Sequence, residues 1–320
     1  MTAQRRPDGS LRHLLTLEGL TRGELELLLE RAQFYARRAG AAAPRSTALA
    51  GVTVANMFTE PSTRTRVSFE LAAKRLGAEV VNLEVQLSSR VKGESMLDTV
   101  FTLESLHVDV FVLRDAEVGV PAMVAANVAP HVSVLSAGEA HVSHPTQGLL
   151  DALTVLQKKG RCDGLAIAIV GDIRHSRVAR SACHAFRTLG TSDLRIVAPS
   201  ALMPEAGEFA GCVRETDIAR GIAGCDVVMM LRIQKERFAD AAIPVGDEYF
   251  REFGLTTARL GQAKPDAIVM HPQPMNRGVE IESIVADGPQ SVIRQQVANG
   301  VAVRMAALEV LAAPLAARAR

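Results

Sequence analysis

Eight short apolar runs constrain this chain more than anything else in it: "VTVANMF", "EVVNLEV", "VDVFVL", "VSVLS", "LAIAIV", "LRIVA", "DVVMML" and "AIVMH". Each is only five to seven residues long, and most are followed by a stretch of helical periodicity. Continuous rather than alternating apolar strands are expected when a parallel sheet is covered on both faces. Strand–helix alternation along the whole chain therefore predicts an α/β protein with right-handed crossovers. About eight strands in 320 residues predict two doubly wound parallel sheets of roughly four, in two domains joined by helices. The break is expected near residues 140–150, where "SAGEAHVSHPTQG" interrupts the alternation.

Two helices can be placed closely. In "LTRGELELLLERAQFYARRAG", Thr21 and Glu24 have capping-box spacing, Leu25, Leu28, Leu29 and Ala32 share a face, and Gly40 offers a stop. "SVIRQQVANGVAVRMAALEVLAA" reads as a long terminal helix despite Gly300.

Composition removes several function classes. Aromatic residues are only 4% with no Trp, too few for base-stacking surfaces. Lys plus Arg number 36 against 35 acidic residues, a net charge of +1, so nucleic acid is not an expected partner and any anion recognition is local. Cys162, Cys183, Cys212 and Cys225 form no C-x-x-C pair and are read as reduced thiols of a cytoplasmic protein. "MTAQRRPDGSLRH" lacks the apolar core of a signal peptide, and no apolar segment nears the roughly 20 residues that span a bilayer, so no membrane is expected.

Local cations are concentrated at strand ends. After "GVTVANMF" comes "EPSTRTR", where Pro61 and Ser62 suit a helix start. The free first-turn N–H groups, the hydroxyls of Ser62, Thr63 and Thr65, and the Arg64 guanidinium can surround one phosphate. Ordinary capping explains one hydroxyl but not this density of donors. No Walker A loop occurs, and "LAIAIVGDIRHSR" lacks the glycines of a dinucleotide fingerprint after Gly171, so no nucleotide cofactor is expected.

In "SHPTQGLLDALT", His144 falls at the N-cap of a helix beginning at Pro145, and Gln147 lies one turn on. A helix N-terminus opposes imidazolium, which predicts a neutral His144 able to donate one hydrogen bond. Simple capping accounts for a His before Pro equally well. His141 and His144 have no acidic or Cys partner spaced to complete a metal site. Arg114 ends "VDVFVLR", where burial is costly unless the charge meets an anion. Lys92 lies in the polar stretch "SSRVKGES", and a solvated loop lysine is the simpler account of it. Arg177 in "GDIRHSR" and Arg232 with Gln234 in "LRIQKER" follow two further strands, where two arginines can grip two carboxylates or serve as surface ion pairs. Pro272 and Pro274 bracket Gln273 after the last strand, a kink that can expose carbonyls or simply end the strand.

In this order, "STRTR" with "SFE", then "KGES", "HPTQ", "GD…SR", "LRIQKER" and "HP-x-P" resemble the aspartate/ornithine transcarbamoylase family, and within it the aspartate carbamoyltransferase catalytic chains. The likeness runs from "LRHLLTLEGL" to the terminal helix. It implies a carbamoyl phosphate-binding domain of residues 10–143 plus 291–313 and an aspartate-binding domain of residues 144–290. It implies that Ser62, Thr63, Arg64 and Thr65 hold phosphate, that Thr65, Arg114 and His144 meet the carbamoyl oxygen, and that Gln147 and the Gln273 carbonyl, before a cis Pro274, meet the carbamoyl amide. Arg177, Arg232 and Gln234 are implied to bind the carboxylates of L-aspartate. Lys92, with Ser88 or Ser89, is implied to come from a neighbouring subunit of a homotrimer with shared sites. Such trimers stand alone or join a larger assembly with a regulatory chain or a dihydroorotase-like chain. No metal or other cofactor is implied. Gln273 departs from relatives with an apolar residue there, which touches packing rather than a main-chain contact. The ornithine enzymes usually carry "HCLP" and an "SMG" loop, where this chain reads "HPQP" and has no "SMG". A dead homologue kept for assembly is disfavoured, because every motif cation and His144 are present.

Overall fold

The computed structural model describes residues 4–36, 41–84, 95–233 and 246–316. The chain divides into two compact units, residues 1–149 with 298–320 and residues 150–297.

In the first unit, α1 (Arg22–Tyr35) has the capping box expected of Thr21 and Glu24, and Leu25, Leu28, Leu29 and Ala32 are buried. It stops at Tyr35, before Gly40. Then follow β1 (Thr53–Phe58), α2 (Thr63–Arg75), β2 (Glu79–Glu84), α3 (Met96–Ser105), β3 (Val110–Asp115), α4 (Val120–Asn127) and β4 (Ser133–Glu139). All pairs are parallel, in the order β2-β1-β3-β4. One face of this sheet packs Ala55, Met57, Phe111, Leu113 and Val134 against Val100 of α3 and Val124 of α4. Strands covered on both faces have no polar side to show, which is why their sequences read as continuous apolar runs.

The helix α5 (Pro145–Lys159) carries the chain into the second unit. There β5 (Ala166–Val170), α6 (Arg177–Thr188), β6 (Asp193–Val197), β7 (Val213–Glu215), β8 (Val227–Met230) and β9 (Ile268–Met270) build a parallel sheet ordered β7-β6-β5-β8-β9. Nine strands in sheets of four and five thus replace the expected eight among the described residues. The additional strand is β7, a three-residue edge on which Val213 and Arg214 are exposed, so it carries no apolar run.

The terminal helix Ile293–Ala316 corrects a second expectation. Over Ile293–Leu315 it is long and apolar enough to cross a membrane. Arg304 and Glu309 interrupt the run in the sequence and hide its length. Within the first unit Met305, Ala306, Leu308 and Leu311 are fully buried, as in the core helix of a globular protein.

The N-terminal segment is docked through His13, which is fully buried and accepts a hydrogen bond from the Val134 N–H at 2.9 Å. Burial, with Arg12 and Arg6 nearby, pushes its pKa from 6.5 down to about 3. The folded chain therefore keeps His13 neutral where the unfolded chain binds a proton. Its contribution is present above pH 6.5 and is lost as the pH falls from there, by about 2 kcal/mol at pH 5. Denaturant unfolding of the wild type and His13→Asn across pH 5–7.5 is expected to show a shallower acid loss in the variant.

Candidate active site

In open parallel sheets the strand order reverses at one point, and the crevice beyond the carboxyl ends there receives ligands. In the first unit that point lies between β1 and β3, where Phe58 is in register with Arg114. Beyond β1 the chain enters α2. Its N-cap residue Ser62 makes no side-chain capping bond, and no acidic residue stands in the first turn. By contrast, side chains cap α1, α3 and α6 through Thr21, Ser95 and Ser176. The start of α2 is thus left with first-turn N–H groups and the positive end of the helix dipole for an outside acceptor. Thr63 and Arg64 are exposed there, Ser62 is half-buried and Thr65 is buried.

Arg114, next to last in β3, has its Nε 3.1 Å from Glu60 Oε2 and Nη1 3.4 Å from the Ala137 carbonyl oxygen. The Thr59 N–H and hydroxyl both donate to the Arg114 carbonyl. The next strand, β4, delivers His144 and Gln147 at the start of α5, both buried, with Thr146 between them. The His144 carbonyl accepts from the N–H groups of Gln147 and Gly148 at 2.9 and 3.2 Å. The main chain of His144 therefore does the capping. Three adjacent strands, β1, β3 and β4, bring Ser62, Thr63, Arg64, Thr65, Arg114, His144 and Gln147 to one end of the sheet.

Arg304 was not singled out from the sequence. It is buried, with its guanidinium 4.9 Å from the centre of the Phe69 ring of α2. Burial, then the charge of Arg114, lowers its pKa to about 10. Among the described residues it makes no hydrogen bond or ion pair, and its Nε is buried without a partner. A lone cation in the apolar sequence "VAVRMAALEV" is the signal that could have marked it.

The second sheet reverses between β5 and β8. At the end of β5, Gly171 has φ +138°, and a Cβ there would lie 2.9 Å from Leu231 Cβ, so only glycine lets the two strand ends approach. Arg177, buried, opens α6, and Arg232, half-buried, stands just beyond β8. Gln273 follows β9 with φ +63°, and the Gln273–Pro274 bond is cis. A buried chain of hydrogen bonds holds this loop. Asp151 accepts from Gln296, Gln296 accepts from the His271 N–H, and His271 Nδ1 accepts from the Gln273 N–H at 2.9 Å. That fixes the proton on His271 Nε2, which lies 3.2 Å from Glu280. Asn276 bonds the Ile233 carbonyl oxygen, tying the loop to the segment after Arg232. Lys92, Ser88, Ser89 and Gln234 lie outside the described residues. Among the described residues no group of three or more His, Cys, Asp or Glu side chains is arranged to hold a metal.

Two parallel α/β units, each opening on guanidinium groups where its sheet reverses, define a protein built to hold anions. The sequence profile described as "Aspartate/ornithine carbamoyltransferase, carbamoyl-P binding domain" matches residues 12–157, and the "Asp/Orn binding domain" of the same family matches residues 163–311. The chain is similar to aspartate transcarbamoylase from Trypanosoma cruzi solved in complex with carbamoyl phosphate and aspartate, with 31% identity and a TM-score of 0.82 over 94% of this chain and 96% of that one. The same enzyme in complex with carbamoyl aspartate and phosphate gives 32% identity and a TM-score of 0.82 over the same shares. Ornithine carbamoyltransferase from Pyrococcus furiosus gives 30% identity and a TM-score of 0.81, again over 94% and 96%. The chain belongs to the aspartate/ornithine carbamoyltransferase family, and the transcarbamoylase fold implied by its motifs is the one it has.

Proposed function

We propose that this protein is an aspartate carbamoyltransferase, which transfers the carbamoyl group of carbamoyl phosphate to L-aspartate and so serves pyrimidine biosynthesis. The observation that carries the choice of acceptor is the pair Arg177 and Arg232 at the mouth of β5 and β8, adjacent strands of the second sheet. Two guanidiniums suit two carboxylates and repel the second ammonium of ornithine.

Phosphate is assigned to Ser62, Thr63, Arg64 and Thr65 at the uncapped start of α2. Thr65, Arg114 and His144 are assigned to the carbamoyl oxygen, and Gln147 to the carbamoyl amide. The neutral amine of aspartate attacks the carbamoyl carbon, the C=O pair moves onto oxygen, and the tetrahedral intermediate expels phosphate. The departing phosphate takes the amine proton. Catalysis then rests on positioning and on donors aimed at the developing oxyanion. A colorimetric assay for ureido product, run with carbamoyl phosphate and either aspartate or ornithine, tests the reading. Product from aspartate supports it; product from ornithine alone overturns it.

Two further expectations follow. Arg304→Met removes an uncompensated buried cation next to Arg114 and α2. Stability is expected to hold or rise, as when buried charges are replaced by apolar groups, while inorganic phosphate binding weakens about tenfold, roughly 1.4 kcal/mol. Thermal melts with and without phosphate read both. The protein is also proposed to act in the cytoplasm as a homotrimer with Lys92 of one subunit completing a neighbour's site. Mixing Lys92→Ala and Arg64→Ala proteins under demonstrated subunit exchange is then expected to restore part of the activity; no recovery counts against shared sites.

A further inference from the structure

Cys183 and Cys212 lie 29 residues apart in sequence, yet their sulfurs are 3.8 Å apart, and both are free thiols. The contact is framed on both sides. On α6, Arg180, Cys183 and Arg187 recur at spacings of three and four and so share one face. Opposite that face runs the turn of residues 204–212. Arg180 pairs with Glu208 at 2.5 Å and lies 5.0 Å from the centre of the Phe209 ring. Arg187 Nη2 donates to Cys212 Sγ at 3.2 Å. Gly211, with φ +79°, leaves that path open, since a Cβ there would crowd Arg187 Nη2 at 3.3 Å.

The two thiols differ in character. Cys183 is buried, and its hydrogen bond with Cys212, then burial, push its pKa well up. Cys212 is half-buried. Its hydrogen bond with Cys183, with help from Arg187 and then Arg214 of β7, outweighs burial and brings its pKa down to about 7. Cys225 is pushed up to about 11 by burial, which outweighs the nearby Arg195 and Lys264. One sulfur is thus partly exposed and the more acidic of the two, beside a buried partner held protonated, the arrangement of a nucleophilic and a resolving cysteine.

We infer that Cys183 and Cys212 form a hydroperoxide-sensitive thiol pair in the second unit, with Cys212 as the attacking sulfur and Cys183 as the resolving one. The Cys212 thiolate attacks one peroxide oxygen, the O–O bond breaks, and the leaving oxygen departs as an alcohol, or as water from hydrogen peroxide, after taking a proton. Cys212 becomes a sulfenic acid, oxidised by two electrons as the peroxide is reduced. Cys183 sulfur then attacks Cys212 sulfur, the S–O bond breaks, and the hydroxyl leaves as water with the Cys183 proton. The disulfide closes a gap of 3.8 Å to about 2.05 Å, a movement within reach of the exposed turn at residues 205–207 and 210–211.

The inference is independent of the proposed catalytic reaction and is read by mass rather than by turnover. Full-length protein is treated with hydrogen peroxide, quenched, and its thiols counted after unfolding. The count is expected to fall from four to two, with a Cys183–Cys212 linked peptide that dithiothreitol reverses. Cys183→Ser is expected to accumulate a dimedone-reactive sulfenic acid at Cys212. Arg187→Gln, which leaves both sulfurs in place, is expected to slow the reaction several-fold, and the wild-type rate should fall as the pH drops below about 7. First oxidation at Cys162 or Cys225, equal loss of all four thiols, or a disulfide formed only between chains would overturn the inference.

Discussion

Arg64→Ala is expected to lower kcat/KM by about 10³-fold or more while leaving the melting temperature nearly unchanged. The two halves of that expectation come from the same observation. Arg64 is exposed in the first turn of α2 and makes no hydrogen bond or ion pair among the described residues, so the fold loses little without it. Surface substitutions of this kind stay within about 0.5 kcal/mol. The proposed ligand is a dianion held against a helix N-terminus, and truncating one partner of a desolvated charge pair costs roughly 2–5 kcal/mol. A loss near 4 kcal/mol corresponds to about 10³ in rate. Arg75, in the last turn of the same helix, offers the control: Arg75→Ala keeps the helix but lies at the wrong end of its dipole, and near-normal kinetics are expected. Steady-state kinetics of the two variants decide the matter. Near-normal activity of Arg64→Ala would remove the phosphate assignment.

Much of the fold could be read from sequence because β1, β3, β4, β5 and β8 are buried along nearly their whole length, which forces continuous apolar runs. β7 escaped because an exposed edge is under no such pressure. The candidate site divides in the same way. Groups clustered along the chain, such as "STRTR" and "HPTQ", announce themselves by local density. Groups whose meaning depends on distant neighbours do not. Glu60 matters through Arg114, 54 positions on, and Arg304 through Phe69 and Arg114. The loop at Gln273 is held by Asp151, Gln296, His271 and Glu280, four residues with no shared motif. Charges in the terminal helix misled for a related reason. Glu309 reads as a break in an apolar run, but it meets Arg31 of α1 at 2.7 Å and stays within the helix.

His144→Ala is expected to lower kcat by about 10²–10³, the usual cost of removing one oxyanion donor, with carbamoyl phosphate affinity changed by less than tenfold. The sequence allowed two roles for this residue, capping and ligand contact, and the geometry separates them. The carbonyl of His144 accepts the Gln147 and Gly148 N–H bonds, and alanine retains that carbonyl. The start of α5 therefore survives the substitution, and any loss of turnover belongs to the buried imidazole. An interaction made chiefly in the transition state lowers kcat and kcat/KM together, whereas one made equally with bound substrate raises KM alone. His144→Gln, which restores an N–H donor of different reach, is expected to recover part of the loss. A purely structural imidazole would show the opposite pattern, with a lowered melting temperature, unchanged turnover of the folded fraction and no benefit from glutamine. Unchanged kcat in a folded His144→Ala protein would leave the oxyanion to Thr65 and Arg114 alone.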